Sequence, residues 1–152
     1  MLRWLPRAAD HALPGPHATL ARLVAGAAGG LAWRQTYATR DVSEAFLERY
    51  GWAEFCGLSG PVPSETLACG VLLLGPNTHY PSHRHAAAEW YVPLSGTAEW
   101  QCGGGDYELR APGCCIVHRP AEAHAMRTQE LPLLALYLWS GDGLDHPAEL
   151  ST

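Results

Sequence analysis

His79-Tyr80-Pro81-Ser82-His83-Arg84-His85-Ala86-Ala87-Ala88-Glu89-Trp90-Tyr91 puts three histidines, one carboxylate and two tyrosines into thirteen residues. His83, His85, Glu89 and Tyr91 share one parity. Residues of one parity lie on the same face of an extended strand. A strand here therefore aims two imidazoles, a carboxylate and a phenol at a common point. That is a natural place for a metal ion with a phenol beside it.

The sequence on either side has the texture of short strands. Leu67 to Leu74 is an apolar run closed by Gly75-Pro76-Asn77, and Glu89 to Leu94 is another, closed by Ser95-Gly96. Ala98 to Gln101 and Tyr107 to Leu109 flank Gly103-Gly104-Gly105. Cys114 to His118, His124 to Thr128 and Leu133 to Trp139 follow, with turn residues between them. Short strands at regular spacing with turns between them predict an all-β sandwich or barrel. In the last strand Leu134, Leu136 and Leu138 share one face, which suits packing against a second sheet or helices. Ala135, Tyr137 and Trp139 share the other, which suits a cavity wall with polar tips.

The N-terminal part reads differently. Residues 1–16 form a loose arm with three prolines. From Ala18, the apolar residues Leu20, Leu23, Val24, Ala27 and Leu31 recur at helical spacing, and Gly29-Gly30 weakens the end. A second helical stretch runs from Val42 to Tyr50 with Ser43 as a possible cap. Gly57 to Ser64 joins the two regions. The expected organisation is a helical extension over 1–60, a barrel over 61–145 and a tail over 146–152.

The totals narrow the function classes. The 152 residues suffice for one domain with a core, and 47% apolar with 16% charged residues describes a folded chain. A formal net charge of -5 argues against nucleic acid as a partner. Five cysteines with no CxxC pair fit a reducing compartment, so the cytoplasm is expected. No leader-like apolar run is seen at the start, and no stretch is long and apolar enough to span a membrane.

His83-x-His85-x3-Glu89-x6-Gly96 resembles the first cupin motif. Pro112-Gly113 followed by Pro120 to His124 is similar to the second. The resemblance implies a cupin barrel (a double-stranded β-helix, or jelly roll) with a short N-terminal helical segment. It also implies a metal site drawn from His83, His85, Glu89 and His124. Tyr80-Pro81-x-His83-x-His85 with Glu89-x-Tyr91 looks more narrowly like the cupin dimethylsulfoniopropionate (DMSP) lyases of the DddQ type. Trp33 to Tyr37, Arg49 to Trp52, Leu67 to Gly70 and Leu136 to Trp139 add to that likeness. It implies that His85, Glu89 and His124 hold one divalent ion, with His83 ligating it or sitting beside it. It implies that Tyr91, Tyr80 and His83 line the substrate pocket, with Tyr91 and Tyr80 as catalytic residues and Tyr91 as the base, and that Trp139 faces the sulfonium. Ala86-Ala87-Ala88 departs from the pattern, since relatives often carry proline and a second acidic residue there. The N-terminal part is also shorter than theirs.

The residue types suit that reaction. Removing the α proton of DMSP is hard beside a free carboxylate, and a bound divalent cation eases it. A phenol normally titrates near about 10, and a nearby metal favours its phenolate. Tyr91 then serves as base, dimethyl sulfide leaves and acrylate remains. Trp139, Tyr80 and Tyr137 can hold the sulfonium by cation–π attraction. The expectation is a carbon–sulfur lyase with a small-molecule substrate, one ion of Zn, Fe, Mn, Ni or Co, and a possible homodimer. Alternatives are a cupin dioxygenase, a lyase on another small carboxylic acid, and a non-catalytic binder. His118 reads as a strand histidine or a support for the ligands. Arg34 and Arg127 read as surface ion-pair partners or as contacts for a substrate carboxylate.

Overall fold

The computed structural model describes residues 1–151. Eleven strands build two sheets. They are β1 (Tyr50–Gly57), β2 (Val62–Pro63), β3 (Leu67–Leu74), β4 (His79–Arg84), β5 (Ala88–Ser95), β6 (Ala98–Cys102), β7 (Glu108–Arg110), β8 (Ile116–His118), β9 (His124–Thr128), β10 (Leu133–Ser140) and β11 (Glu149–Leu150). One sheet has the order β2-β1-β3-β10-β5-β8 and the other β11-β4-β9-β6-β7. This is the cupin barrel, with its helices gathered at the N-terminal end of the chain.

The core between the sheets draws from both. Tyr50, Leu72, Tyr91, Ala135 and Tyr137 come from the six-stranded sheet; Tyr80, Trp100 and Met126 come from the five-stranded one. A second apolar cluster covers the outer face of the six-stranded sheet. There α1 (Leu5–Asp10) and α2 (Pro16–Ala27) bring Leu5, Ala8, Ala21 and Val24 onto Ala53, Val71, Leu73, Leu94 and Leu134. That sheet is thus buried on both faces, which is why Leu67–Leu74 is a continuous apolar run and not an alternating one. β10 shows the division within one strand: Leu134 faces the helices, while Ala135 and Tyr137 face the barrel interior.

Several local expectations are corrected. Residues 1–16 are not a loose arm: α1 begins at Leu5, with Pro6 in its first turn where no amide donor is needed, and buries Leu5, Ala8 and Ala9. The stretch from Val42 to Tyr50 is helical only as α3 (Glu44–Leu47). Ser43 does cap it, its hydroxyl accepting from the Phe46 amide. Tyr50 already belongs to a strand, because Tyr50, Trp52 and Glu54 alternate into the barrel and pair β1 with β3. Strands therefore extend past residues 61–145 on both sides, with β1 before and β11 after.

The opening stretch is not one strand either. β4 ends at Arg84 and β5 starts at Ala88, and the two lie in different sheets. The chain turns at His85 to Ala87, which parity cannot foresee. The turn after β5 depends on Gly96 at φ 72, where an added Cβ would lie 2.3 Å from the Pro132 carbonyl oxygen.

Candidate metal centre and its cavity

Two sheets and one turn deliver the site. Glu89 stands on β5, His124 on β9, and His85 in the turn between β4 and β5. One ligand atom from each of His85, Glu89 and His124 falls within 4.8 Å of the others, and all three residues are buried. His85 Nε2 lies 2.9 Å from Glu89 Oε2, and His124 Nε2 lies 3.2 Å from the same oxygen, out of line for a hydrogen bond. Trp139 Nε1 donates to the other carboxylate oxygen at 2.6 Å, and the Trp139 ring stacks on His85 at 4.0 Å between centroids.

Backbone carbonyls set the tautomers. His83, His85 and His124 donate Nδ1–H to the carbonyls of Pro81, Ala87 and Glu122, at 2.9, 3.0 and 2.9 Å. A neutral imidazole held in this way presents Nε2 as a lone pair. His85 and His124 then turn acceptors toward a carboxylate, which is also an acceptor. Only positive charge between them, a proton or a metal ion, makes that arrangement favourable. Two imidazole nitrogens and a carboxylate are a donor set for Zn, Fe, Mn, Ni or Co, so the residues present fit a divalent ion. Burial works to raise the Glu89 carboxyl, but the contacts with His124 and His85 hold it well below the usual carboxylate range.

His83 lies beside this set, not within it. Its ring stacks flat on Tyr80, 3.9 Å between centroids with a 6° tilt, and meets the His124 ring at 4.1 Å. The bond to Pro81 leaves Nε2 as its free nitrogen, and the residue lines the cavity. Burial and the neighbouring His124 push its pKa well down. His118 is fully buried behind the cluster, stacked on His124 at 3.9 Å, with Nε2 unpartnered. Its pKa is pushed down to about 3 by burial, with His124 adding to the effect.

In front of the cluster is a cavity of about 600 Å³, walled by Tyr80, His83, Glu89, Tyr91, Tyr137 and Trp139 among others. All the aromatic residues expected from the sequence therefore reach it. Tyr91 is nearly sealed, packs on Trp100 at 5.0 Å, and has its phenol pushed well up by burial, with the adjoining Glu89 carboxylate adding to it. Tyr80 is also buried, but its hydroxyl sits in a chain with Tyr37 at 3.2 Å and Tyr50 at 3.4 Å. Tyr50 passes the chain to Thr36 at 2.8 Å, where Trp52 Nε1 also donates at 3.0 Å. Tyr37, Thr36, Tyr50, Trp52 and Glu54 were not singled out as site residues in the sequence. The inward parity of Tyr50, Trp52 and Glu54 is the signal that could have found them.

The two arginines part company. Arg127 pairs with Glu99 at 2.6 Å on the surface and covers the Tyr107 ring. Arg34 stands on the cavity wall, and no carboxylate of the described residues lies within ion-pair distance of it.

Comparison with known proteins gives the family and the fold. The sequence profile of the DMSP lyase family matches residues 2–135. Over 117 residues the chain is 37% identical to the dimethylsulfoniopropionate lyase DddQ of Ruegeria pomeroyi, covering 76% of this chain and 58% of that protein. The chain thus spans little more than half the length of that curated relative. The crystal structure of DddQ from Ruegeria pomeroyi superposes with a TM-score of 0.90 at 29% identity, over 99% of this chain and 75% of the other. A cupin-2 domain from Rhodospirillum rubrum shares the fold alone, with a TM-score of 0.61 at 20% identity, over 81% of this chain and 76% of that one. With the matched profile spanning the helical segment, the turn that carries His85 and the strands that carry Glu89, Tyr91 and His124, the chain belongs to the dimethylsulfoniopropionate lyase family.

Proposed function

We propose that this protein is a metal-dependent lyase that converts DMSP to dimethyl sulfide and acrylate. The observation that carries the reading is the placement of Tyr91 and Glu89 on one face of β5, with His85 and His124 closing on the same carboxylate at the wall of an aromatic cavity. A divalent cation held by His85, Glu89 and His124 supplies positive charge that offsets the substrate carboxylate, acidifies its α proton and favours the Tyr91 phenolate.

The side chains do the rest. Tyr91 takes the α proton on its phenolate oxygen. The C–H electron pair becomes the Cα=Cβ bond as the Cβ–S bond breaks. Sulfur keeps the bonding pair and leaves as neutral dimethyl sulfide, acrylate stays behind, and Tyr91 returns its proton to solvent. Trp139 and Tyr137 face the sulfonium with their rings, and the Trp139 N–H orients Glu89. His83, backed by Tyr80, faces the substrate, and Tyr80 holds His83 in place. The cation is Zn, Fe, Mn, Ni or Co.

Five free cysteines support a reducing location, the cytoplasm. Exposed Leu109 and Val117 on the edge strands β7 and β8 support a homodimer that covers an edge.

Dimethyl sulfide release from DMSP by metal-loaded protein tests the reading. Release above the buffer rate that stops in Tyr91→Phe is the expected result. A metal-loaded wild type that releases none would remove the proposal.

A further inference from the structure

Glu54 is an inward-facing carboxylate on the wall opposite the histidines. Tyr50, Trp52 and Glu54 alternate along β1 into the cavity, and Glu54 pairs in register with Gly70 on β3. Its position is fixed. Glu54 Oε1 accepts from the Ser59 amide at 2.6 Å and from the Ser59 hydroxyl at 2.9 Å. Gly57, at φ 144, leaves the space the carboxylate fills; a Cβ there would meet Glu54 Cδ and both carboxylate oxygens at 2.6–2.9 Å.

The donors from Ser59 are neutral, so they hold the carboxylate without cancelling its charge. Among the described residues no arginine, lysine or histidine lies within ion-pair distance of Glu54. Of the other charged groups on the wall, only Arg34 has no ion pair among the described residues. Glu89 belongs to the histidine cluster, Asp145 pairs with His146 at 2.9 Å, and Arg34 is exposed. The Glu54 neighbourhood is aromatic: Trp52 meets the Tyr137 ring edge-on at 6.5 Å. The Tyr137 hydroxyl reaches the same spot: a Cβ at Gly70, the register partner of Glu54, would lie 2.7 Å from it.

We infer that Glu54 is the counter-ion for the cationic end of the substrate and selects sulfonium-bearing acids over neutral ones. This rests on the lyase reading for the identity of the substrate. The physical basis is independent of it: a fixed, uncompensated carboxylate beside aromatic faces attracts a desolvated onium cation and gains nothing from an alkyl group. Glu54 does not touch the bonds that change, so it acts on binding and not on the chemical step.

The test compares DMSP with 4-methylpentanoate, its isostere in which CH replaces the sulfonium. Metal-loaded wild type and Glu54→Gln are assayed for dimethyl sulfide release, and 4-methylpentanoate is titrated as a competitor. In Glu54→Gln the KM for DMSP is expected to rise about fivefold, the scale of losing one partly exposed charge pair. The turnover number stays within about twofold, and the inhibition constant of 4-methylpentanoate does not rise. Glu54→Asp keeps part of the preference. An unchanged KM, or equal losses for DMSP and the neutral isostere, would overturn the inference. A wild type that does not turn DMSP over would instead count against the lyase reading. In that case the quenching of cavity tryptophans by the two ligands still decides the role of Glu54: DMSP binds more tightly than the isostere in wild type and loses that advantage in Glu54→Gln, or the inference fails.

Discussion

Tyr91 and Tyr80 are both buried phenols on the wall of one cavity, 5% and 3% exposed, yet they keep different company. Tyr91 lies against a carboxylate on its own strand, with Trp100 and His118 around its ring. Tyr80 lies on the opposing sheet, flat against His83, with its hydroxyl tied to Tyr37 and Tyr50. Burial raises both phenols, and the additions differ: Glu89 in one case, the neighbouring tyrosines in the other. A charge placed at the Glu89 cluster reverses the largest electrostatic opponent of the Tyr91 phenolate. It does much less for Tyr80, whose opponents are other hydroxyls. The same residue type in the same cavity is thus a candidate base in one place and a structural prop in the other.

The strongest way to break this contrast is to remove its source. Glu89→Ala takes away the carboxylate that both Nε2 atoms face. Metal affinity is expected to fall by more than about a hundredfold, the upper end for losing even an outer partner of a ligand, and dimethyl sulfide release should vanish with it. Metal content after dialysis, measured beside activity, checks this; a variant that kept both would show that the cation sits elsewhere. Tyr91→Phe comes next. It should retain its metal and lose about 10²- to 10⁴-fold in turnover, the range for a positioned acid–base group. Tyr80→Phe sharpens the comparison from the other side. Its hydroxyl only joins the chain of phenols, so turnover should fall less than about tenfold, by analogy with one neutral hydrogen bond. Equal losses in the two variants would erase the distinction.

The smallest effect is in stability. His118 backs the Tyr91 side of the site and stays neutral in the folded protein down to about pH 3, whereas an unfolded histidine protonates near about 6.5. Between those values the unfolded chain binds more protons, so stability is complete above the unfolded pKa and falls as pH drops. Through His118 alone, metal-free protein should lose about 2 kcal/mol between pH 7 and pH 5, read from urea midpoints. His83 pulls the same way, so His118→Asn should remove part of the slope. An unaltered slope in that variant would mean that His118 is already neutral-indifferent in the fold.

Much of the architecture was legible from local chemistry. The rhythm of short strands from Leu67 onward holds, and so do the Ser43 cap and the two faces of β10, except that Leu138 at the end of its leucine row is exposed and packs on neither the helices nor a sheet. These follow from side-chain period and turn residues, which act over a few positions. The N-terminal arm was misread because Pro6 looked like a breaker, while in the first turn of a helix it costs nothing. β1 was hidden because its inward residues, Tyr50, Trp52 and Glu54, are large and polar-tipped and do not read as a core row.

The sequence by itself determined the residue types of the site and the pairing of Glu89 with Tyr91, because two residues apart on one strand must share a face. It did not decide which imidazoles join them. His83 and His85 have the same parity, yet β4 ends between them, and the His83 ring stacks on Tyr80 beside a register irregularity of β4. Whether atoms on opposing sheets converge depends on register, twist and the turn between strands, which are settled only when the whole barrel packs. The same holds for Glu54: its type is plain in the sequence, but only the fold brings Ser59 and Gly57 around it and leaves its charge facing the cavity.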